Sequence, residues 1–458
     1  MRTASPTSGA GIVDAVTAAI LFEGELLLTR RHPGLPAFPG YHAFPGGKVD
    51  AEDEDGPPLP AWTQEPPRLL RALARELQEE LGLDLLDLVT RGAVAALQPL
   101  GTALTPPFSA RRFNTHFYRI DLHERPELVP DARETAEADW GTPTQWLADY
   151  EAGRLLCAPP TLATLRALAA NLGSCSVPDL SFEYREQAEL PMVESLRGVR
   201  QIWVRSHTLP PAQHTNAFLL GDFPAHRVLV DPSPSSEAEL DRLCAFLERT
   251  GFHEIFLTHH HPDHHERADA IARRFQVPMG MSADTQNRIY QKNPGFFDGV
   301  SYHLYEEGDV LCRWLGEPVR ILAVPGHDAG QLALMPDSRA WCLVGDLIQG
   351  IGTVVIAAPE GDMRAYFQSL EKIIALNPRV IYPSHGGALG TVFRLQETLR
   401  HRQLREQQIL ALHRAGKQPE EMLPTVYAGV NPALWPLARM NIDSHLRKLE
   451  AEGQLARA

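Results

Sequence analysis

Thr258-His259-His260-His261-Pro262-Asp263-His264-His265 places five histidines in eight residues. The stretch follows a short apolar run, Glu254–Thr258, and leads into a helical pattern over His265–Phe275. Within it lies H-x-H-x-D-H, formed by His259, His261, Asp263 and His264. Neutral imidazole and carboxylate suit Zn²⁺ and similar divalent ions. Two ligands two positions apart on a loop converge on one ion, and the Asp-His pair that follows can turn toward a second. A lone histidine reads as a satisfied polar residue, whereas this density predicts a metal site. His260 and His265 fall outside the spacing and read either as groups that support the ligands or as exposed or structural bystanders.

Working outward, further polar residues end short apolar runs. His327 follows Val324-Pro325-Gly326, Asp346 closes Leu343-Val344-Gly345, and His385 follows Ile381-Tyr382-Pro383-Ser384. Each stands at the carboxyl end of a strand-like run, where α/β proteins assemble their sites. The strand-like runs are Ala217–Leu220, Val228–Val230, Glu254–Thr258, Arg320–Val324, Cys342–Val344 and Val380–Tyr382. Helical spacing covers Glu237–Thr250, His265–Phe275 and Met363–Leu376. The alternation predicts an α/β core over 196–390. From Val392 strand signals vanish, and helices at 392–415, 419–427 and 433–451 predict a small helical or winged-helix-like domain over 391–458.

These motifs in this order resemble the metallo-β-lactamase-fold hydrolases. The resemblance implies an αββα sandwich and a binuclear site. His259, His261 and His327 then match the ligands of one metal, Asp263, His264 and His385 those of the other, and Asp346 the bridging carboxylate. Asp231, in Val230-Asp231-Pro232, matches the acidic residue that orients a ligand histidine. Two Zn²⁺ or other divalent transition ions would hold a hydroxide near neutral pH, with Asp263 orienting it and accepting its proton. A bridging aspartate also argues against a true β-lactamase. The tail, with Arg405-Glu406-Gln407-Gln408-Ile409-Leu410 and Asn441–Leu449, is similar to that of the branch containing a mitochondrial endoribonuclease. Arg400, Arg402, Arg405, Arg439, Arg447 and Lys448 are interleaved there with Glu406, Asp443 and Glu450, so no clean basic patch emerges.

The amino-terminal half carries a second motif. Arg75-Glu76-Leu77-Gln78-Glu79-Glu80-Leu81-Gly82-Leu83 sits in a helical pattern over Leu69–Leu83. Glu76, Glu79 and Glu80 share a helix face, while Leu73, Leu77 and Leu81 point to a core. Crowded carboxylates call for a hard cation such as Mg²⁺ or Mn²⁺. With Phe44-Pro45-Gly46-Gly47 ahead of it, this resembles the Nudix box. Arg111, Arg112, Phe113, Thr115, Phe117, Glu137 and Trp140 resemble the coenzyme A-diphosphatase-like members. The resemblance makes Glu76, Glu79 and Glu80 metal ligands, with Glu79 also catalytic. One departure stands out: Pro67 occupies the place of the box's first glutamate. Hairpin chemistry flanks Glu23-Gly24-Glu25, Arg112–Ile120 reads as a strand, and Trp140–Leu147 and Pro160–Ala170 read as helices.

Length and composition agree with a multidomain soluble chain. The 458 residues suit two or three domains: a Nudix-like domain over 1–175, a linker over 176–195, then the two domains above. With 44% hydrophobic and 22% charged residues, the chain is not disordered. Five scattered cysteines exclude a disulfide scaffold. No long apolar run or signal sequence is evident, so a cytoplasmic protein without membrane partners is expected. The net charge of −14 discourages nonspecific nucleic-acid coating, although the acidic insert at 50–67 supplies part of it. The overall expectation is a metal-dependent hydrolase of an ester, thioester or phosphodiester. Its partners would be a small-molecule thioester or nucleotide, with the Nudix domain hydrolysing or binding a nucleoside diphosphate derivative. The alternative is a single-stranded RNA endoribonuclease in which the Nudix domain is a noncatalytic nucleotide-binding scaffold.

Overall fold

The structure is a computed structural model that describes residues 11–55, 65–106, 111–177, 180, 189–222 and 224–455. Parts of the acidic insert (56–64) and of the expected linker (178–179 and 181–188) lie outside the described residues. The chain divides into two compact units. One holds residues 1–187 with 195–197, and the other holds 188–194 and 198–458.

The first unit builds a six-stranded sheet from β1 (Val13–Phe22), β2 (Glu25–Arg31), β3 (His42–Ala43), β4 (Val94–Leu104), β5 (Phe113–Leu122) and β6 (Thr135–Gly141). Its order is β3-β2-β1-β5-β4, with β6 also paired to β2. Strand β1 is central and reads as a near-continuous apolar run because both of its faces are covered. Alternation along the strand divides it between two cores. Val16, Ala18 and Ile20 pack with Leu69, Leu73, Leu77 and Leu81 of α1 (Pro67–Leu81). Ala19 and Leu21 pack on the other side with residues of α3 (Pro143–Glu151) and α4 (Pro159–Ala170), which follow the short α2 (Leu85–Thr90). Pro67 takes the first position of α1, where a missing N–H costs nothing, and Gly82 closes the helix in a left-handed conformation at φ +66°. The helix expected from Trp140 begins only at Pro143. Trp140 belongs to β6, opposite Leu27, and the Thr142/Gln145 capping box sets the helix start.

The second unit is a two-sheet sandwich. The first sheet runs β13-β12-β11-β10-β9-β8-β7, from β7 (Met192–Leu196), β8 (Val199–Arg205), β9 (His214–Leu220), β10 (Val228–Val230), β11 (Glu254–Phe256), β12 (Met279–Met281) and β13 (Tyr302–Leu304). The second runs β14-β15-β16-β17-β18-β19, from β14 (Val310–Trp314), β15 (Glu317–Ala323), β16 (Leu332–Pro336), β17 (Cys342–Gly345), β18 (Val380–Pro383) and β19 (Leu389–Gly390). Phe218 of β9 and Tyr382 of β18 meet edge to face across the sheets, their rings 5.6 Å apart. Helices cover the outer faces. α5 (Glu237–Thr250) packs on the first sheet and α9 (Met363–Leu376) on the second. The αββα order of the sequence reading is thus present.

Two local expectations change. The helix expected over His265–Phe275 is broken into α6 (Pro262–His265) and α7 (Ala268–Phe275), because Arg267 adopts a left-handed conformation at φ +60° between them. Residues 192–195, placed by sequence in the linker, join Leu196 in the edge strand β7. In chain order α8 (Ala283–Lys292), which packs into the core of the first sheet, comes between α7 and α9, and after β19 come α10 (Phe393–Arg414), α11 (Pro419–Val426) and α12 (Trp435–Ala451). The last three share a core of Ile409, Met422, Ile442 and Leu449. Among the described residues this tail contains no strand, and no helix of the chain is long and apolar enough to cross a membrane.

Candidate metal centres

The histidine stretch begins where β11 ends and wraps into α6. Asp231, after β10, fixes it: Oδ1 accepts from the Thr258 backbone N–H at 2.8 Å, and Oδ2 from the Thr258 hydroxyl at 2.6 Å and from His264 Nδ1–H at 2.9 Å. Other anchors use up one nitrogen on each remaining ring. His259 Nδ1–H donates to Thr258 Oγ1 (3.0 Å), His261 Nε2–H to Glu360 Oε2 (3.1 Å), His327 Nδ1–H to Val355 O (2.9 Å) and His385 Nδ1–H to His214 O (2.9 Å). A proton pinned on one side leaves the other nitrogen with its lone pair, as a metal ligand requires.

Those free nitrogens converge. His261 Nδ1 lies 3.0 Å from His259 Nε2 and 2.9 Å from His327 Nε2. Beside this trio, His385 Nε2 is 3.6 Å from Asp263 Oδ2, and His264 Nε2 is 3.9 Å from Asp263 Oδ1. Asp346 faces both groups: its carboxylate is 3.8 Å from His264 Nε2, 3.8 Å from His327 Nε2 and 3.5 Å from His385 Nε2. His259–His261–His327, Asp263–His264–His385 and His259–His264–Asp346 each present ligand atoms within 4.8 Å of one another. His264 Nε2 and Asp346 Oδ1 are buried and have no hydrogen-bond partner. Orphaned buried polar atoms are costly, and these two face nitrogen and oxygen donors that a pair of divalent cations would satisfy. The residues therefore fit such a pair.

The electrostatics of the bare cluster point the same way. Burial pushes His259 well below the usual imidazole range and His261 down to about 4. Burial opposes the charge on His264 as well, but the Asp263 and Asp231 carboxylates push it up to about 10. For Asp346 burial favours the neutral acid, yet His385 and His264 hold its carboxyl well below the usual range. Protons thus supply the positive charge that a cation would otherwise bring.

Gly326 sets the approach of His327. A Cβ there would fall 2.2 Å from the Tyr366 Cα at the start of α9, and its φ is +137°. Glycine alone lets this loop lie on the helix.

The structure also recruits residues that the sequence reading left out. His260 is not exposed: it is fully buried, with Nδ1 2.5 Å from Asp328 Oδ2 and Nε2 donating to Glu360 Oε1 at 3.1 Å. Glu360 thereby ties His260 and His261 together. His265, nearly buried, donates from Nδ1 to the His261 carbonyl at 2.9 Å, and burial holds it down to about 4. Asp328 directly follows His327, a neighbour that gives it a local signal. Glu360 lies 99 residues from His261 and carries no local signal.

In the first unit, α1 brings Glu76 and Glu80 together with Glu134, a residue the motif did not indicate. Gly46 N–H donates to Glu80 Oε2 at 2.8 Å, and a Cβ at Gly47 would fall 2.3 Å from Glu76 Oε2. The glycine pair therefore lets the backbone lie against both carboxylates. Glu79, expected among the ligands, is not brought to this cluster. Its side chain is 55% exposed and paired with Arg75 Nη1 at 3.0 Å. Burial raises Glu76 to about 6, with Arg75 opposing, and Glu80 to about 7. Two such carboxylates beside a third acid are a recognisable place for a hard cation. Arg30 and Glu137 pair on the neighbouring strands β2 and β6.

Comparison with known proteins identifies the domains that carry these residues. A family profile described as "Metallo-beta-lactamase superfamily" matches residues 210–385, "NUDIX domain" matches 12–156, and "Beta-lactamase associated winged helix domain" matches 419–458. The chain is similar to "Beta-lactamase-like protein 2 homolog" of Caenorhabditis elegans, 30% identical over 251 residues that cover 53% of this chain and 80% of that protein. It is also similar to "Atrochrysone carboxyl ACP thioesterase" of Aspergillus fumigatus, 30% identical over 43% of this chain and 59% of that protein. Among solved structures, a beta-lactamase domain protein from Burkholderia ambifaria shares the fold, with TM-score 0.50 and 21% identity over 60% of this chain and 93% of that one.

Replacing Asp231 with Asn should lower divalent-cation affinity at the histidine centre by about 10- to 100-fold, measured by competition with a chelator. An unchanged affinity would sink the anchoring role of Asp231. At the acidic cluster, pKa values raised above 4.5 mean that the stabilising contribution of Glu76 and Glu80 is fully present below about pH 4.5. It is lost as pH rises through about 6 and about 7. Mg²⁺ should therefore raise the thermal stability of the metal-free protein more at pH 8 than at pH 5. Equal shifts at both would contradict the assignment.

Proposed function

The chain belongs to the metallo-β-lactamase superfamily of hydrolases and carries a Nudix domain ahead of that fold, and from that premise we propose that it is a thioesterase acting on nucleotide-linked acyl thioesters. The observation that carries this reading is the convergence of seven side chains from separate loops around two orphaned buried atoms, His264 Nε2 and Asp346 Oδ1.

His259, His261 and His327 would hold one divalent transition ion, Asp263, His264 and His385 a second, and Asp346 would bridge them. When bound, such a pair acidifies a water and polarises the scissile carbonyl. The chain's own residues do the rest. Asp263 is the most open acid of the cluster, at 17% side-chain exposure against 7% for Asp346. It is the group placed to orient the attacking water and take its proton. Asp346, buried among three imidazoles, stays ionised and holds them in register. Thr208 Oγ1 lies 3.5 Å from His385 Nε2.

The name of the fungal relative, a thioesterase, supports the thioester class. So does the charge of the tail. Arg402 is buried against Asn441 and Val354, Arg405 lies over the Tyr427 ring, Arg439 pairs with Glu420 and Asp443, and Lys448 pairs with Glu406 and Glu452. These cations are spent within the fold, which favours a small substrate over an RNA strand.

In the Nudix unit, Glu76, Glu80 and Glu134 would hold Mg²⁺ or Mn²⁺ against the diphosphate of a nucleotide. Pro67 removes the first acid of the usual box but opens α1 without strain, so the carboxylate cluster survives. A thioester of a nucleotide-containing thiol offers a thioester to one site and a diphosphate to the other, so a single substrate class suits both.

Purified protein should hydrolyse acyl-CoA thioesters, and Asp346→Ala should slow this by about 100-fold or more. Cleavage of labelled single-stranded RNA without thioester turnover would replace this reading with the nuclease one. For the first unit, Mg²⁺-dependent cleavage of coenzyme A is expected to be abolished by Glu76→Gln and only weakened by Glu79→Gln. No cleavage by the wild type would leave this unit a nucleotide-binding scaffold.

A further inference from the structure

The stretch Val354–Ile356, which precedes Glu360 and α9, is held by residues of the helical tail. Arg402 of α10 is buried, and its guanidinium donates to Val354 O at 2.5 Å and to Asn441 Oδ1 at 3.0 Å. It also lies over the Tyr366 ring, 5.6 Å from the centroid. Asn441 of α12 is likewise buried, and the same Oδ1 accepts from Ile356 N–H at 2.9 Å. One helical turn on, the buried Ser444 donates its hydroxyl to Ile356 O at 2.7 Å. The carbonyl of Val354 and both backbone polar groups of Ile356 are thus satisfied from the tail, and the Val354 and Ile356 side chains are buried.

Val355 lies between these held residues. Its carbonyl accepts His327 Nδ1–H at 2.9 Å, which leaves Nε2 facing His261 Nδ1. With the neighbours on both sides pinned, the Val355 peptide plane cannot rotate without breaking buried hydrogen bonds. Leaving such buried groups unsatisfied is costly. The direction of the His327 ring is therefore set, through one carbonyl, by the tail.

We propose that Arg402, Asn441 and Ser444 are positioning residues for the metal centre, and that the helical tail is a structural part of that centre because it orients His327. This rests on the reading of His259, His261 and His327 as a ligand set. It assigns the tail a role distinct from contact with substrate, since none of the three side chains needs to touch a reacting atom.

The test uses the full-length protein with Zn²⁺ as probe and a chelator as competitor. Asn441→Ala and Ser444→Ala are compared with Met422→Ala, which damages the tail's own core around Ile409 and Ile442 without touching the 354–356 stretch. Ser444→Ala removes one hydroxyl and is the variant that keeps the fold if Asn441→Ala does not. Thermal melts match the variants for loss of stability. Expected is a Zn²⁺ affinity about 10-fold or more weaker in the Asn441 and Ser444 variants, with affinity near wild type in Met422→Ala. Unchanged affinity in the first two, or an equal loss in all three, overturns the proposal. Failure of the underlying metal reading looks different: the wild type itself would bind no Zn²⁺, and both inferences would fall together.

Discussion

Everything at the histidine centre hangs on one buried carboxylate. Asp231 is 1% exposed, and such a charge is tolerated only where it is paired and hydrogen-bonded. It meets that demand by accepting from the Thr258 backbone, the Thr258 hydroxyl and His264. The consequence is mechanical. The end of β11 cannot slide relative to β10 without stranding the charge, so the residues that follow start from a fixed point. Thr258 passes the constraint to His259 through its hydroxyl, and His264 receives it directly. Asp231 itself sits at φ +46°, a conformation unusual for a residue other than glycine or asparagine. The surrounding hydrogen bonds hold it there.

From that fixed point, the fold delivers the remaining groups by a common device. His327 follows β15, Asp346 directly follows β17 and His385 follows β18. All stand at carboxyl ends of strands in the second sheet, while the histidine stretch stands at the carboxyl end of β11 in the first. A sandwich brings these ends to one edge. Close packing does the fine placement. Gly326 lets the His327 loop lie on α9, and the 354–356 stretch supplies the carbonyl that turns the ring. The candidate ligands come from strand ends, and their orientation comes from loops and helices far away in sequence.

This division explains what the sequence could disclose. The H-x-H-x-D-H motif is contiguous, so its spacing is visible without a structure. The strand-end residues were legible because apolar runs announce strands. The helices Glu237–Thr250 and Met363–Leu376 were also legible to the residue from their apolar spacing, and in the structure Ser236 and Asp362 cap their first turns. The orienting groups were not. Glu360, Asn441 and Ser444 act across long sequence separations and sit among ordinary helix or loop composition. His260 misled because burial cannot be read from a run of identical residues. Glu79 differs for another reason: helix-face arithmetic grouped it with Glu76 and Glu80, but its side chain is more than half exposed beside Arg75, and Glu134 from beyond β5 lies with the other two instead.

The two candidate centres also differ in how they treat charge, and that difference separates the ions they favour. At the histidine centre each imidazole has one nitrogen committed to a protein acceptor, so the lone pairs are oriented before any cation arrives. Such a nitrogen-rich set favours borderline transition ions. At the acidic cluster the donors are all oxygen, and burial raises Glu76 and Glu80 toward neutrality. A hard cation must displace protons there, and it is held only when its own charge repays the desolvation of the carboxylates. Softer ions gain less from such oxygens than from imidazole. One chain can therefore carry both centres without each competing for the other's metal, because donor chemistry sorts the ions before geometry does.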